Sequence, residues 1–299
     1  MDIIPSLVAV DWGTTNRRVF LLDSAGRLVR EEQDDAGVAA LGRKGVYDAV
    51  ALLRVRFPQQ LIILAGMVGS ALGWREVPYV ACPAGLGSLI DGAIRDETGQ
   101  IILIPGVRSA PGTPDDVMRG EEVQLIGAAE AGLIPADCPI CHPGTHAKWV
   151  DLRGYAIQSF RTVMTGELFA LLKAHSILAP ALAGPVQLGT SFQAGLAAGL
   201  SSRTLGADLF SIRAKSLLGH LPLEDAASWA SGLLIGADIS FGLAHIPSKP
   251  PVALIGDPQL TALYAAGLEA AGRDCFELDG ATAFIAGSLA LAQRLPCPA

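Results

Sequence analysis

Apolar residues in this chain fall into short continuous runs separated by Gly, Pro and polar turns, and those runs predict its elements. Residues 6–10, 17–22 and 27–31 read as three strands, with Asp23-Ser-Ala-Gly26 turning the second into the third. Residues 44–56 have helical spacing and stop before Pro58. Residues 61–64 form a short buried strand leading into Ala65-Gly66-Met67-Val68-Gly69-Ser70. Residues 101–104 form another, stopped by Pro105-Gly106. The Pro- and Gly-rich stretch 107–114 reads as loop. From 116 to 131 the pattern is helical: Val117, Val123, Leu125, Ile126 and Ala129 are apolar, and acids sit near the start as the helix dipole prefers.

The pattern then restarts. Pro143-Gly144-Thr145-His146 separates a strand at 147–152 from the run before it, and Arg153-Gly154 turns into a strand at 155–161. Helices are predicted over 165–174, 190–201, 207–218 and 223–244. Val252-Ala-Leu-Ile255 is a strand that opens through Gly256-Asp257-Pro258 into a helix over 259–271, and a last helix covers 281–294. Residues 8–23 and 140–161 echo each other as strand, Gly-Thr turn, strand. This organisation predicts two α/β lobes, an N-terminal one over 1–134 and a C-terminal one over 135–299, with a ligand cleft between them.

Composition narrows the chemistry. The chain has 299 residues, 51% of them hydrophobic and 17% charged, so it can bury a large core and is not of disordered composition. A formal net charge of −7 argues against a nucleic-acid or anionic-membrane surface, which needs clustered Lys and Arg. An anionic ligand must then be held locally, by backbone N–H groups, a metal or a few placed cations. The early Asp2 and Pro5 do not resemble a signal peptide. The stretch 174–202 lacks Asp, Glu, Lys and Arg, but its Pro, Gln and Gly residues read as helix, loop and helix rather than a membrane span. Five Cys without framework spacing fit a reducing cytoplasm. Oligomeric state is open, a homo-oligomer included.

The strongest chemical signal is Asp11-Trp-Gly13-Thr14-Thr15 between two strands. Gly13 admits a phosphate close to the backbone, Thr14 and Thr15 add hydroxyl and N–H donors, and Asp11 can position Mg²⁺ or its waters. Pro143-Gly144-Thr145-His146 repeats the Gly-Thr turn, with Lys148 nearby. Asp115-Asp116-Val-Met-Arg119-Gly120-Glu121-Glu122 holds acids at a predicted helix start. One of them suits the carboxylate that phosphoryl transfer to an alcohol requires, although helix capping alone accounts for such acids too. Gly66-Met67-Val-Gly69-Ser70 and the following Trp74 offer a close backbone approach and a flat apolar wall. The strand-to-helix opening at Gly256 can seat a nucleotide, but neither G-x-G-x-x-G nor the P-loop pattern is present. Cys138-Pro-Ile-Cys141-His142 matches the c-type haem pattern formally, yet it reads as strand.

In order and content these stretches resemble the actin-like ATPase and sugar-kinase superfamily, and within it the 2-dehydro-3-deoxygalactonokinase family. The carrying motifs are Asp11-Trp-Gly-Thr-Thr-Asn-Arg17, Met67-Val-Gly-Ser70 with Gly73-Trp74 and Val77-Pro-Tyr79, Met118-Arg-Gly-Glu-Glu122, Pro143-Gly-Thr-His-Ala-Lys-Trp149 and Met164-Thr-Gly-Glu167. The resemblance implies a two-lobed, ribonuclease H-like sugar-kinase fold. It implies ATP- and Mg²⁺-dependent phosphorylation of the terminal hydroxyl of 2-dehydro-3-deoxy-D-galactonate in galactonate breakdown. Carried residue by residue, Asp11, Gly13, Thr14 and Thr15 take the first phosphate loop and the metal; Gly144, Thr145 and His146 take the second; Gly256 takes the adenosine side. The catalytic carboxylate falls on Glu121, where related sugar kinases carry Asp, with Asp116 and Glu122 as neighbours of the same kind. Asn16, Arg17, Met67, Ser70, Trp74 and Glu167 are expected at the sugar acid, Arg17 through its planar fork. A kinase of the same fold acting on another hexose or an amino sugar, or a non-enzymatic sugar sensor, is the alternative.

Overall fold

The computed structural model describes residues 5–247 and 249–295. The chain divides into two compact units. In the first, β1 (Leu7–Trp12) opens on an unbroken apolar run, residues 7–10, because it is buried between neighbours on both sides, β2 (Arg17–Leu22) and β4 (Leu61–Gly66). β3 (Leu28–Asp34) follows β2 antiparallel. The helix α1 (Val38–Arg56) begins before residue 44, where periodicity first shows it, because Gly42 at φ 61° breaks the helical spacing near its start. A 3₁₀ turn (Met67–Gly69) follows β4, and then β5 (Val80–Ala81), α2 (Leu86–Gly92), β6 (Ile94–Arg95) and β7 (Ile101–Leu103). The main sheet runs β3-β2-β1-β4-β7-β6.

The stretch read as loop and then helix folds differently. Its parts β8 (Val107–Arg108) and β9 (Val117–Met118) pair antiparallel in a small second sheet with β5. The helix α3 (Glu121–Glu130) therefore starts at Glu121 and not at 116. Gly120, at φ 115°, makes the break between strand and helix. Asp116 accordingly lies outside the helix, where its backbone N–H donates to Ser109 Oγ at 3.0 Å.

The second unit repeats the plan. It holds β10 (Cys138–His142), β11 (Ala147–Arg153), β12 (Ala156–Val163), α4 (Thr165–His175), α5 (Thr190–Leu200), α6 (Leu205–Leu217), α7 (Leu223–Leu243), β13 (Val252–Gly256), α8 (Pro258–Ala270) and β14 (Cys275–Asp279). Its sheet order, β12-β11-β10-β13-β14, matches the first five strands of the other sheet, so the echo read in the two Gly-Thr turns extends to whole sheets. α5 and α7 pack at backbone contact. A Cβ on Gly195 would lie 2.0 Å from Trp229 O, and one on Gly232 would lie 2.2 Å from Phe192 O. The helix α7 is long and apolar enough to cross a membrane by length and composition, but 78% of its most apolar window is buried inside the protein.

The last helix, α9 (Gly280–Arg294), corrects the expected division at 134 and 135. It belongs to the first unit, as do the hairpin-tip residues 152–159. A Cβ on Gly127 of α3 would lie 2.2 Å from Gly287 Cα of α9, so the two helices touch through bare backbone. Phe284 meets Phe20 with ring centroids 5.5 Å apart, and Arg294 pairs with Glu130 at 2.9 Å.

Candidate active site

The first Gly-Thr turn is held from behind by the start of α1. The carbonyls of Gly13, Thr14 and Thr15 accept the N–H groups of Val38, Ala39 and Gly37 at 3.1, 3.0 and 3.0 Å. The first N–H groups of a helix lack partners within it, and here the turn supplies them. Gly37 is required for this approach, since a Cβ there would lie 2.2 Å from the Thr15 carbonyl carbon. The turn closes through Gly13 N–H to Asn16 O at 2.9 Å. Its carbonyls thus point into the protein, while Thr14, Thr15 and Asn16 are exposed on the other side.

Asp11 ends its strand beside this turn. Its Oδ2 accepts from Arg18 Nη2 at 2.5 Å, across the hairpin pairing of these two residues, and its side chain is 15% exposed. Burial raises its pKa, Arg18 opposes that rise, and the charge of Glu121 adds to it. Asp11 and Glu121 are therefore electrostatic neighbours. The close approach depends on two glycines: a Cβ on Gly66 would lie 2.6 Å from Trp12 O, and one on Gly120 3.2 Å from Gly66 Cα and 3.9 Å from Asp11 Oδ1. Glu121, the first residue of α3, is partly exposed and accepts the Arg119 N–H through Oε2 at 3.2 Å.

The three acids left open by sequence separate here. Glu122 is fully buried, and both its oxygens accept the Gly120 N–H, at 2.8 and 2.7 Å. Burial, and secondarily the charge of Glu121, push its pKa up to about 8. Asp116 sits on the short β-bridged segment. Of the three, Glu121 alone combines an electrostatic influence on Asp11 with partial exposure.

Several sugar-acid candidates are placed otherwise than expected. The fork of Arg17 is taken: Nε and Nη2 donate to Asp34 at 3.2 and 2.5 Å, with the guanidinium 5.0 Å from the Trp12 ring centre. Trp74 is 6% exposed and belongs to the hydrophobic core, because Gly73 lets its backbone fold back onto Val68. It is not an open wall. Met67 packs partly against the same core, and the Ser70 hydroxyl donates to Met67 O at 2.7 Å. A cation the motif hid is Arg119. It donates to Val77 O at 2.8 Å, stacks 4.2 Å from the Tyr79 ring centre and abuts Gly69.

In the second unit the other Gly-Thr turn is clasped the same way by the start of α4. Glu167 N–H donates to Thr145 O at 2.9 Å, and a Cβ on Gly166 would lie 2.6 Å from Gly144 O. Glu167 Oε2 lies 2.5 Å from His146 Nε2, so two candidates expected at different ligands are partners. Lys148 is buried and donates to His146 O at 2.8 Å, holding the turn from beneath instead of facing outward. Gly256 ends β13, and the helix after it is capped by its own Asp257, which accepts from Gln259 and Leu260 at 2.9 and 3.2 Å. A cavity of about 80 Å³ is lined by Gly144, Gly166, Phe169, Leu260 and Tyr264 among others. Cys138 and Cys141 lie buried on β10 with their thiol pKa values raised by burial, as apolar core residues. Sequence reasoning missed Gly37 and Arg18; a Gly just ahead of a helix, and a cation paired across a hairpin from an acid, were the available signals.

Among known proteins, the family model described as 2-keto-3-deoxy-galactonokinase matches residues 11–291. The chain is 37% identical over 290 residues to the 2-dehydro-3-deoxygalactonokinase of Escherichia coli (strain K12), covering 96% of this chain and 98% of that one. A solved Sinorhizobium meliloti structure, provisionally named 2-dehydro-3-deoxygalactonokinase, superposes with a TM-score of 0.87 at 33% identity, covering 96% and 98% of the two chains. The activator of the 2-hydroxyisocaproyl-CoA dehydratase from Clostridium difficile, solved with ADPNP, shares the fold at a TM-score of 0.53 and 12% identity, covering 97% and 95%. The fold, two α/β units whose sheets share one strand order, is the one these solved structures have. With that model matched over residues 11–291 and a relative 37% identical over nearly its whole length, this chain belongs to the 2-keto-3-deoxy-galactonokinase family.

Proposed function

We propose that this protein is a carbohydrate kinase that transfers the γ-phosphoryl group of ATP to the C6 hydroxyl of 2-dehydro-3-deoxy-D-galactonate. The observation that carries the reading is the family match over residues 11–291. The site chemistry supports it. Two turns with carbonyls held inward by helix starts leave their outer N–H and Thr hydroxyl groups for phosphate oxygens. Glu121 takes the proton of the acceptor hydroxyl as that oxygen bonds to the γ-phosphorus and the bond to ADP breaks; products are ADP, the 6-phosphate and a proton. Thr14, Thr15, Thr145 and His146 bind phosphate, Gly13 and Gly144 give it room, and Gly256 lies on the nucleoside side. Asn16, Ser70 and Glu167 remain for the sugar acid, Glu167 through the oxygen not paired with His146.

The donor set near Asp11 fits Mg²⁺. Oδ2 is used by Arg18, which leaves Oδ1 for the water shell of an ion that keeps most of its waters, and Glu121 adds a second carboxylate nearby. When bound, Mg²⁺ would supply charge neutralisation at the phosphates. A coupled ADP-release assay with MgATP, over a panel of 2-keto-3-deoxy acids and neutral sugars, tests the proposal. Turnover of the galactonate-derived acid is expected; turnover of neutral sugars with none on the keto acids would overturn it.

A further inference from the structure

Asp238 on α7 is a buried carboxylate that the chemistry above does not use. It is 2% exposed, and its partners are three neutral donors from three other elements. Oδ1 accepts from Trp149 Nε1 of β11 at 2.7 Å; Oδ2 accepts from Thr165 Oγ1 at the start of α4 at 2.6 Å and from Tyr264 Oη of α8 at 2.5 Å. Burial raises its pKa despite these bonds, so the group is retained at a cost that an apolar core residue would not carry. What such a hub supplies is one fixed arrangement of the elements that meet on it.

That arrangement lies directly behind the second Gly-Thr turn. Thr165 is followed by Gly166, whose missing Cβ lets α4 reach Gly144 and Thr145, and by Glu167, which bonds Thr145 O and pairs with His146. We propose that Asp238 is a positioning residue for the second phosphate turn, fixing the start of α4 through Thr165 so that residues 144–146 hold the shape that takes nucleotide phosphates. This rests on the reading of that turn given above.

Conservative variants separate positioning from mere support. Thr165→Val keeps the shape and removes the hydroxyl, Thr165→Ser keeps the hydroxyl, and Trp149→Phe removes a different bond to the same carboxylate. MgATP and MgADP dissociation constants by titration calorimetry are read beside melting temperature. Thr165→Val is expected to weaken both nucleotides on the order of tenfold. Thr165→Ser should return within about threefold of the parent, and Trp149→Phe should lower the melting temperature without weakening nucleotide. Equal nucleotide affinity in Thr165→Val and parent, or equal weakening in Thr165→Val and Trp149→Phe, would overturn the proposal. Because the readout is binding alone, a parent protein that binds MgATP but phosphorylates no keto acid defeats the substrate reading and leaves this test intact. A parent that binds neither nucleotide overturns both.

Discussion

Replacing Glu122 by Gln should stabilise this protein, increasingly so as pH rises. The side chain is fully buried, and burial with the adjacent Glu121 charge lifts its pKa from an ordinary 4.5 to about 8. In the window between those values the folded chain holds a proton that the unfolded chain has released. Stability therefore falls as pH climbs from about 4.5 and levels off above about 8. At about 1.4 kcal/mol per tenfold change in proton affinity, the loss at pH 8 is about 5 kcal/mol at most. Gln has no proton to lose and keeps a carbonyl oxygen for the Gly120 N–H. Even half the maximal gain corresponds to a rise in Tm of roughly 5 °C. Urea unfolding of parent and variant from pH 5 to 9 measures the difference directly. The curves should meet near pH 5 and separate upward, the variant being the more stable at pH 8. Parallel curves, or a variant less stable at pH 8, would refute the argument. Asp11 and Asp238 also have raised pKa values, but both proteins carry them and they cancel in the comparison.

Glu121→Gln should lower kcat by about 100-fold or more in the ADP-release assay while KM values hold, whereas Glu122→Gln should keep kcat at pH 7 within about threefold. Asp11→Asn should weaken Mg²⁺ activation along with turnover; a Mg²⁺ titration identical to the parent's removes its metal role. Gly37→Ala would set a Cβ 2.3 Å from Thr14 O, so MgATP affinity by calorimetry should fall at least tenfold. Gly144→Ala has no neighbour nearer than 3.9 Å and should fold normally, so loss of nucleotide binding there would report phosphate contact directly.

The sequence made the strands legible wherever burial on both faces wrote an unbroken apolar run, as in β1 and β13. It hid β14, whose residues alternate between half-buried and exposed at a sheet edge. It hid α2, seven residues long and bounded by Gly85 and Gly92. Residues 116–120 were read as helix because apolar spacing carries no record of Gly120 turning to φ 115°. The Gly-Thr turns and their acids were visible as motifs, since chemistry demands particular residue types there. What held each in place was not. Arg17 looked free until Asp34, seventeen residues on, took its fork, and Trp74 looked open until Gly73 folded it inward. Pairings of that kind are set by tertiary register, which short-range spacing does not encode.

The return of α9 to the first unit bears on how the chain is made. Its Gly287 packs against Val123 and Gly127 of α3, where any residue larger than Gly would collide. The second unit, residues 137–151 and 160–279, emerges from the ribosome before that helix does. The usual order, in which the segment nearest the N-terminus matures first, is inverted. The sheet bearing Asp11 waits, with one face of α3 bare, until residues 280–294 have been released. A chain stopped short of residue 280 would carry a finished second unit and an unfinished first one, the half that holds Asp11 and Glu121.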